Sequence, residues 1–127
     1  MSANYTVKVT NYFCGAHRLR GYRGDCVDVH GHNYKLTTEI TASQLDELGM
    51  VVDFAHARPI IDGIVKQLDH KFFNDVAPFD QINPTAENIA AWLYQKIAKQ
   101  LNSDRVRVKA VTLQETPYEA VHYTEEQ

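Results

Sequence analysis

The run Asp25-Cys26-Val27-Asp28-Val29-His30-Gly31-His32-Asn33-Tyr34 sets a cysteine just ahead of two histidines that a single glycine separates. In extended backbone, residues i and i+2 point to the same side, so His30 and His32 offer two imidazoles to one point, with Gly31 leaving space between them. Taken alone, such a pair is equally well read as two polar residues in a loop. His17 shifts the balance: it ends a β-rich segment, and an antiparallel partner beginning near His30 would set it opposite His30 or His32. Three neutral imidazoles with no fourth protein ligand describe a catalytic zinc site, where the open position takes water or substrate. Cys26 as fourth ligand would instead close a structural site, while a thiol near the ion but unbound would be stabilised as a thiolate able to act as base or nucleophile. Residue types and spacing leave both open. Cys14 is the poorer ligand, because three residues before His17 on a regular strand it points to the opposite face, and a small buried hydrophobe is its expected role.

A second constellation is Leu68-Asp69-His70-Lys71-Phe72-Phe73-Asn74-Asp75. A carboxylate beside a histidine is the usual way to fix the imidazole tautomer and tune a general base. A charged helix C-terminal turn accounts for Asp69-His70 equally well. Glu115, at the end of an apolar strand, is read either as a rim residue or as a buried carboxylate that accepts the paired N–H donors of a guanidine-like edge. Thr85 and Glu87 satisfy local demands as a helix cap and a first-turn acid. Arg18, Arg20 and Arg23 follow His17 and are read as exposed loop arginines in preference to a phosphate clamp. His56, His122, Tyr118 and Glu119 are read as structural or exposed.

The elements that must position these residues follow from periodicity. Tyr5, Val7, Val9 and Phe13 alternate through residues 4–16, which predicts a long strand with one apolar face. Residues 18–29 read as a loop, and Tyr34, Leu36, Thr38 and Ile40 mark a second strand. Asp53 is an expected N-cap for a helix over roughly 55–68, whose apolar face carries Ile60, Ile61, Ile64, Val65 and Leu68, with Pro59 in its first turns. Asn83-Pro84-Thr85 gives a turn and a cap for a second helix ending near Asn102, with Ile89, Trp92, Leu93, Ile97 and Leu101 in its stripe. Strands over Val106–Leu113 and Glu119–Thr124 complete the order ββααββ, an α+β layer of a four-stranded antiparallel sheet with two helices on one face. Such a sheet leaves two open edges, to be blunted or paired with another subunit.

At 127 residues the chain is long enough for one core and short for two, so residues 1–127 read as a single domain. A net charge of -3 gives no reason to expect nucleic acid or an anionic membrane as partner. No apolar run approaches a bilayer span, and MSANYTVKV lacks the features of a secretory signal, so a cytoplasmic location with two free thiols is expected.

Taken together in chain order, FCGAH, CVDVHGHNY, LDHKFFND, NPTAEN and LQET resemble the motifs of the 6-pyruvoyltetrahydropterin synthase and 6-carboxytetrahydropterin synthase family, and the resemblance spans nearly the whole chain. It implies that His17, His30 and His32 bind zinc, that Cys26 is the proton acceptor, and that Asp69 and His70 form a relay. It also implies that Glu115 anchors a pterin ring and joins that relay, with Thr85 and Glu87 against the substrate. The implied fold is the tunnel fold, in which sheets of several subunits close into a barrel with helices outside. A homohexamer of two stacked trimers is expected, with active sites between subunits. The cysteine, three residues, then HGH, resembles the 6-carboxytetrahydropterin synthases of queuosine and other 7-deazaguanine biosynthesis. These are zinc-dependent carbon–carbon lyases that convert 7,8-dihydroneopterin triphosphate with release of triphosphate and acetaldehyde. The pyruvoyl synthase, a carbon–oxygen lyase that eliminates triphosphate, is the alternative. Other tunnel-fold pterin enzymes such as an aldolase or cyclohydrolase, and a non-enzymatic zinc-stabilised binding domain, are more distant ones.

Overall fold

In a computed structural model, residues 4–21 and 28–126 are described. Strands β1 (Tyr5–His17) and β2 (His30–Ala42) form an antiparallel ladder from Tyr5↔Ala42 to His17↔His30. Helix α1 (Phe54–Val65) follows, then a two-residue strand β3 (Lys71–Phe72), a 3₁₀ turn (Phe73–Asp75), helix α2 (Ala86–Leu101), and strands β4 (Arg107–Thr116) and β5 (Glu119–Tyr123). The sheet runs β3-β1-β2-β4-β5.

The expectation of four antiparallel strands is corrected by β3, which pairs parallel to β1 at Gly15↔Lys71 and Ala16↔Phe72 and makes the sheet five-stranded and mixed. The order is therefore ββαβαββ. A two-residue strand is too short to show alternation, so no sequence period could reveal it. Helix α1 stops at Val65, short of the expected 68, and Leu68 is buried from the turns that follow. Strand β2 begins at His30, so both histidines of the pair lie in the ladder.

The caps behave as read. Asp53 accepts from the Ala55 N–H, and the Thr85 hydroxyl accepts from the Asn88 N–H. Ile61, Ile64 and Val65 of α1 and Ile89, Leu93, Ile97 and Leu101 of α2 meet the inward residues Val9, Phe13, Leu36, Ile40, Val108 and Leu113 in one core. Both apolar stripes thus cover one face of the sheet. The other face carries Lys8, Thr10, Tyr12, Lys35, Thr37 and Thr112, residues that pair across the strands on the side away from the core.

Candidate functional site

The pleat settles which residues meet. His17 stands opposite His30, and Gly15 opposite His32, so all three histidines project to the helix-covered side at one end of the β1–β2 ladder. Glu115, two residues beyond the buried Leu113 on β4, joins them on that side. One ligand atom from each of His17, His30, His32 and Glu115 lies within 4.8 Å of the others. Sequence reasoning brings the three histidines together correctly but sets Glu115 apart from them; here its Oε1 is 3.0 Å from His32 Nε2 and 3.8 Å from His17 Nε2.

Two main-chain carbonyls orient the rings. His17 Nδ1 donates to the Pro84 carbonyl at 2.7 Å, and His30 Nδ1 donates to the Asp28 carbonyl at 2.9 Å. A carbonyl only accepts, so each Nδ1 carries its hydrogen and each neutral ring keeps its lone pair on Nε2. Those two Nε2 atoms face each other at 3.1 Å. Two acceptors so placed repel unless a proton or a cation lies between them. Burial, the largest influence on His17, depresses its pKa and so opposes the proton, although the Pro84 bond and the Glu115 charge pull the other way. His32 Nε2 is likewise buried and, among the described residues, has no hydrogen-bond partner, because its approach to Glu115 is close but poorly aligned. Two nitrogens about 2.0–2.1 Å from one tetrahedral ion stand roughly 3.3 Å apart, so the site fits a cation held by imidazole nitrogens with a carboxylate beside it.

The support around these rings comes from residues read in the sequence only as members of turns, loops, strands and motifs. Asn83 Oδ1 accepts from the Arg20 N–H at 2.8 Å and its Nδ2 donates to the Arg20 carbonyl at 2.9 Å, while Asn74 does the same for Arg18 at 2.9 and 3.0 Å. The chain leaving His17 is thereby tied to the segment that presents Pro84. The Arg20 guanidinium donates to the Phe79 and Ile82 carbonyls, so Arg20 is half-buried and tied to the fold, not the exposed loop arginine expected. Phe73 packs edge-on to His17 with centroids 6.4 Å apart and sits over Gly15. A methyl at Gly15 would lie 2.2 Å from the Phe73 ring, whereas one at Gly31 would meet only the Gly15 carbonyl at 3.4 Å. The tight glycine is Gly15, not the one between the histidines. Tyr34 is fully buried, its hydroxyl has no partner among the described residues, and burial followed by the Glu115 charge pushes its phenol well above the ordinary range.

Asp69 and His70 fall elsewhere. Asp69 Oδ1 accepts from His70 Nδ1 at 2.9 Å and from the Cys14 N–H at 3.0 Å, and the His70 N–H donates to the Cys14 carbonyl at 2.6 Å. His70 holds φ of 60°, a left-handed conformation uncommon outside glycine, and its side chain is 79% exposed. The Asp-His pair expected from sequence is therefore formed, at the edge of β1 beside Cys14 and outside the His17/His30/His32/Glu115 group. Cys14 pairs with Asn33 on the face away from His17, as its spacing requires, but it is half-buried and next to Asp69 rather than a core residue. Thr85 and Glu87 line, with His17, His30 and Glu115, a cleft of about 450 Å³ at the start of α2. Cys26 and Arg23 lie outside the described residues.

Comparison with known proteins follows the same lines. A solved structure of Caenorhabditis elegans 6-pyruvoyl tetrahydropterin synthase superposes with a TM-score of 0.86 at 24% identity, covering 98% of each chain, a likeness of fold. A 6-carboxy-5,6,7,8-tetrahydropterin synthase of Rickettsia bellii is 34% identical over 123 residues, covering 83% of this chain and 89% of its own. A dihydroneopterin monophosphate aldolase of Pyrococcus furiosus is 38% identical over 88 residues, covering 69% of this chain and 71% of its own. The family model described as 6-pyruvoyl tetrahydropterin synthase matches residues 6–126, and the chain belongs to that family.

Proposed function

We propose that the protein is a 6-carboxytetrahydropterin synthase that uses zinc to convert 7,8-dihydroneopterin triphosphate to 6-carboxytetrahydropterin, triphosphate and acetaldehyde. The convergence of the buried His17 and the half-buried His30 and His32 on one point, with two lone pairs opposed at 3.1 Å, is the observation that carries this reading. Three imidazoles favour Zn²⁺ over the harder divalent ions, which prefer all-oxygen shells. The bound ion would supply Lewis acidity toward the hydroxyls of the substrate side chain.

The remaining work falls to side chains. His70, with Nδ1–H tied to Asp69, presents Nε2 to take up and return a proton. Cys26 is assigned the first proton abstraction, as the family resemblance implies, and not a place among the ligands. Glu115 offers two carboxylate oxygens to the paired N–H donors of a pterin ring, and Thr85 and Glu87 flank the same cleft. The Asp69–His70 pair lies outside the histidine group of its own chain, which supports a site completed by a neighbouring subunit. Two exposed edges support the same assembly: β3 covers only Gly15 and Ala16 of β1, and β5 is the last strand on the other side. A homohexamer of two stacked trimers in the cytoplasm, serving queuosine or related 7-deazaguanine synthesis, completes the proposal.

The gap of three residues between Cys26 and His30 favours the carboxy product over the pyruvoyl product. The Pyrococcus furiosus relative favours a second reading, action on dihydroneopterin monophosphate as an aldolase. Purified protein given the triphosphate and, separately, the monophosphate, with pterin products identified by mass spectrometry, decides among them. Carboxytetrahydropterin with acetaldehyde from the triphosphate is expected. Pyruvoyl product alone, or turnover of the monophosphate alone, would overturn the proposal.

A further inference from the structure

We propose that Cys14, Asp69 and His70 form a second metal site, suited to thiophilic divalent ions such as Zn²⁺ and Cd²⁺, whose filling switches off His70. Three observations lead to it. First, Cys14 Sγ, a carboxylate oxygen of Asp69 and a ring nitrogen of His70 all lie within 4.8 Å of one another, with Sγ 3.8 Å and Nδ1 2.9 Å from the same oxygen, Oδ1. Sulfur at about 2.3 Å and nitrogen or oxygen at about 2.0–2.1 Å around one tetrahedral ion stand roughly 3.3–3.6 Å apart, so the two distances to Oδ1 need only small side-chain shifts.

Second, the three ligands are held by main chain. The Cys14 N–H grips the Asp69 carboxylate, and the Cys14 carbonyl fixes the His70 N–H at φ of 60°. The ligand-bearing backbone is thus fixed before any ion arrives, which lowers the ordering cost of binding. Third, Cys14, Asp69 and His70 open onto a shallow cleft shared with Tyr12, so water can complete the shell. A thiolate with an imidazole selects zinc-like ions, whereas Mg²⁺ and Ca²⁺ prefer oxygen.

Binding has a definite proton balance. The Cys14 thiol releases one proton to solvent, and the hydrogen on His70 Nδ1 transfers to Nε2 as Nδ1 takes the metal. His70 then has no lone pair left to accept a proton. This consequence for turnover rests on the relay role of His70 proposed above; the site itself does not.

The test is a Cd²⁺ titration of zinc-loaded protein, followed by the ultraviolet sulfur-to-cadmium charge-transfer band, in the unsubstituted protein and in Cys14→Ser, Cys26→Ser and His70→Ala. A band that saturates near one equivalent, persists in Cys26→Ser, needs at least about tenfold more Cd²⁺ in His70→Ala and vanishes in Cys14→Ser is expected. No band in the unsubstituted protein, or a band that survives Cys14→Ser, overturns the site. Turnover in excess Cd²⁺ should fall at least about tenfold in the unsubstituted protein and hold in Cys14→Ser relative to its own cadmium-free rate. Binding with unchanged turnover would overturn the switch and count against the relay role, while leaving the site standing.

Discussion

The two faces of the β1–β2 ladder carry different kinds of histidine. On the helix-covered face His17 is 1% exposed, its Nδ1 is tied to a carbonyl, and its free nitrogen points at another ring. On the far side, past Cys14, His70 is tied to a carboxylate and stands in solvent. A carbonyl partner fixes a tautomer without adding charge, which suits a neutral ligand. A carboxylate fixes the same tautomer and leaves Nε2 facing solvent, which suits a group that exchanges a proton with its surroundings. Under the proposed function, the same tautomer, set by different partners at different depth, would separate holding a cation from moving a proton.

His17→Ala should break the buried side most severely. It removes a ligand and leaves the buried Pro84 carbonyl unpaired, which costs about 1–3 kcal/mol besides the lost packing. Metal analysis should find the ion gone and turnover abolished, with a lower urea midpoint. His70→Ala acts on the exposed side alone: turnover should fall by about 10²–10⁴ while the ion bound at His17, His30 and His32 and the urea midpoint are retained. A lost metal in that variant would erase the distinction between the two faces. Gly15→Ala tests the floor under the buried rings. Its methyl would collide with the Phe73 ring, so stability should drop by about 1–3 kcal/mol in denaturant titrations.

The smallest effect is one of pH. The His17 pKa is depressed below its ordinary 6.5, mainly by burial, so below that pH the unfolded chain takes up a proton that the metal-free folded chain refuses. The unfolded state then binds more protons, and stability rises with pH. Metal-free protein should keep this contribution in full above 6.5 and lose it as pH falls from there through the depressed value. The His17→Ala protein should lose this part of the dependence, whereas His70→Ala should keep it.

Alternation and capping made most of the fold readable. The inward set of β1, the stripes of both helices and the caps at Asp53 and Thr85 are local patterns, and each is realised. The convergence of the three histidines was readable for the same reason: H-x-H alternates on one strand and His17 ends its neighbour. What the sequence hid depends on atoms without side-chain identity or on contacts far apart in the chain. The carbonyls of Pro84 and Asp28 orient the rings, yet every residue has a carbonyl. Strand β3 exists because His70 turns left-handed against Cys14, a contact across 56 residues. Gly31 drew attention by lying between the histidines, while the packing of Phe73 makes Gly15 the constrained one.

We propose that His17, His30 and His32 hold a zinc ion without help from Cys26. Metal content of Cys26→Ala, measured beside the unsubstituted protein after identical purification, tests it most directly. Equal zinc in the two, with turnover lost only in the variant, is the predicted result. Loss of zinc together with loss of fold would make Cys26 a ligand of a structural centre and contradict the account.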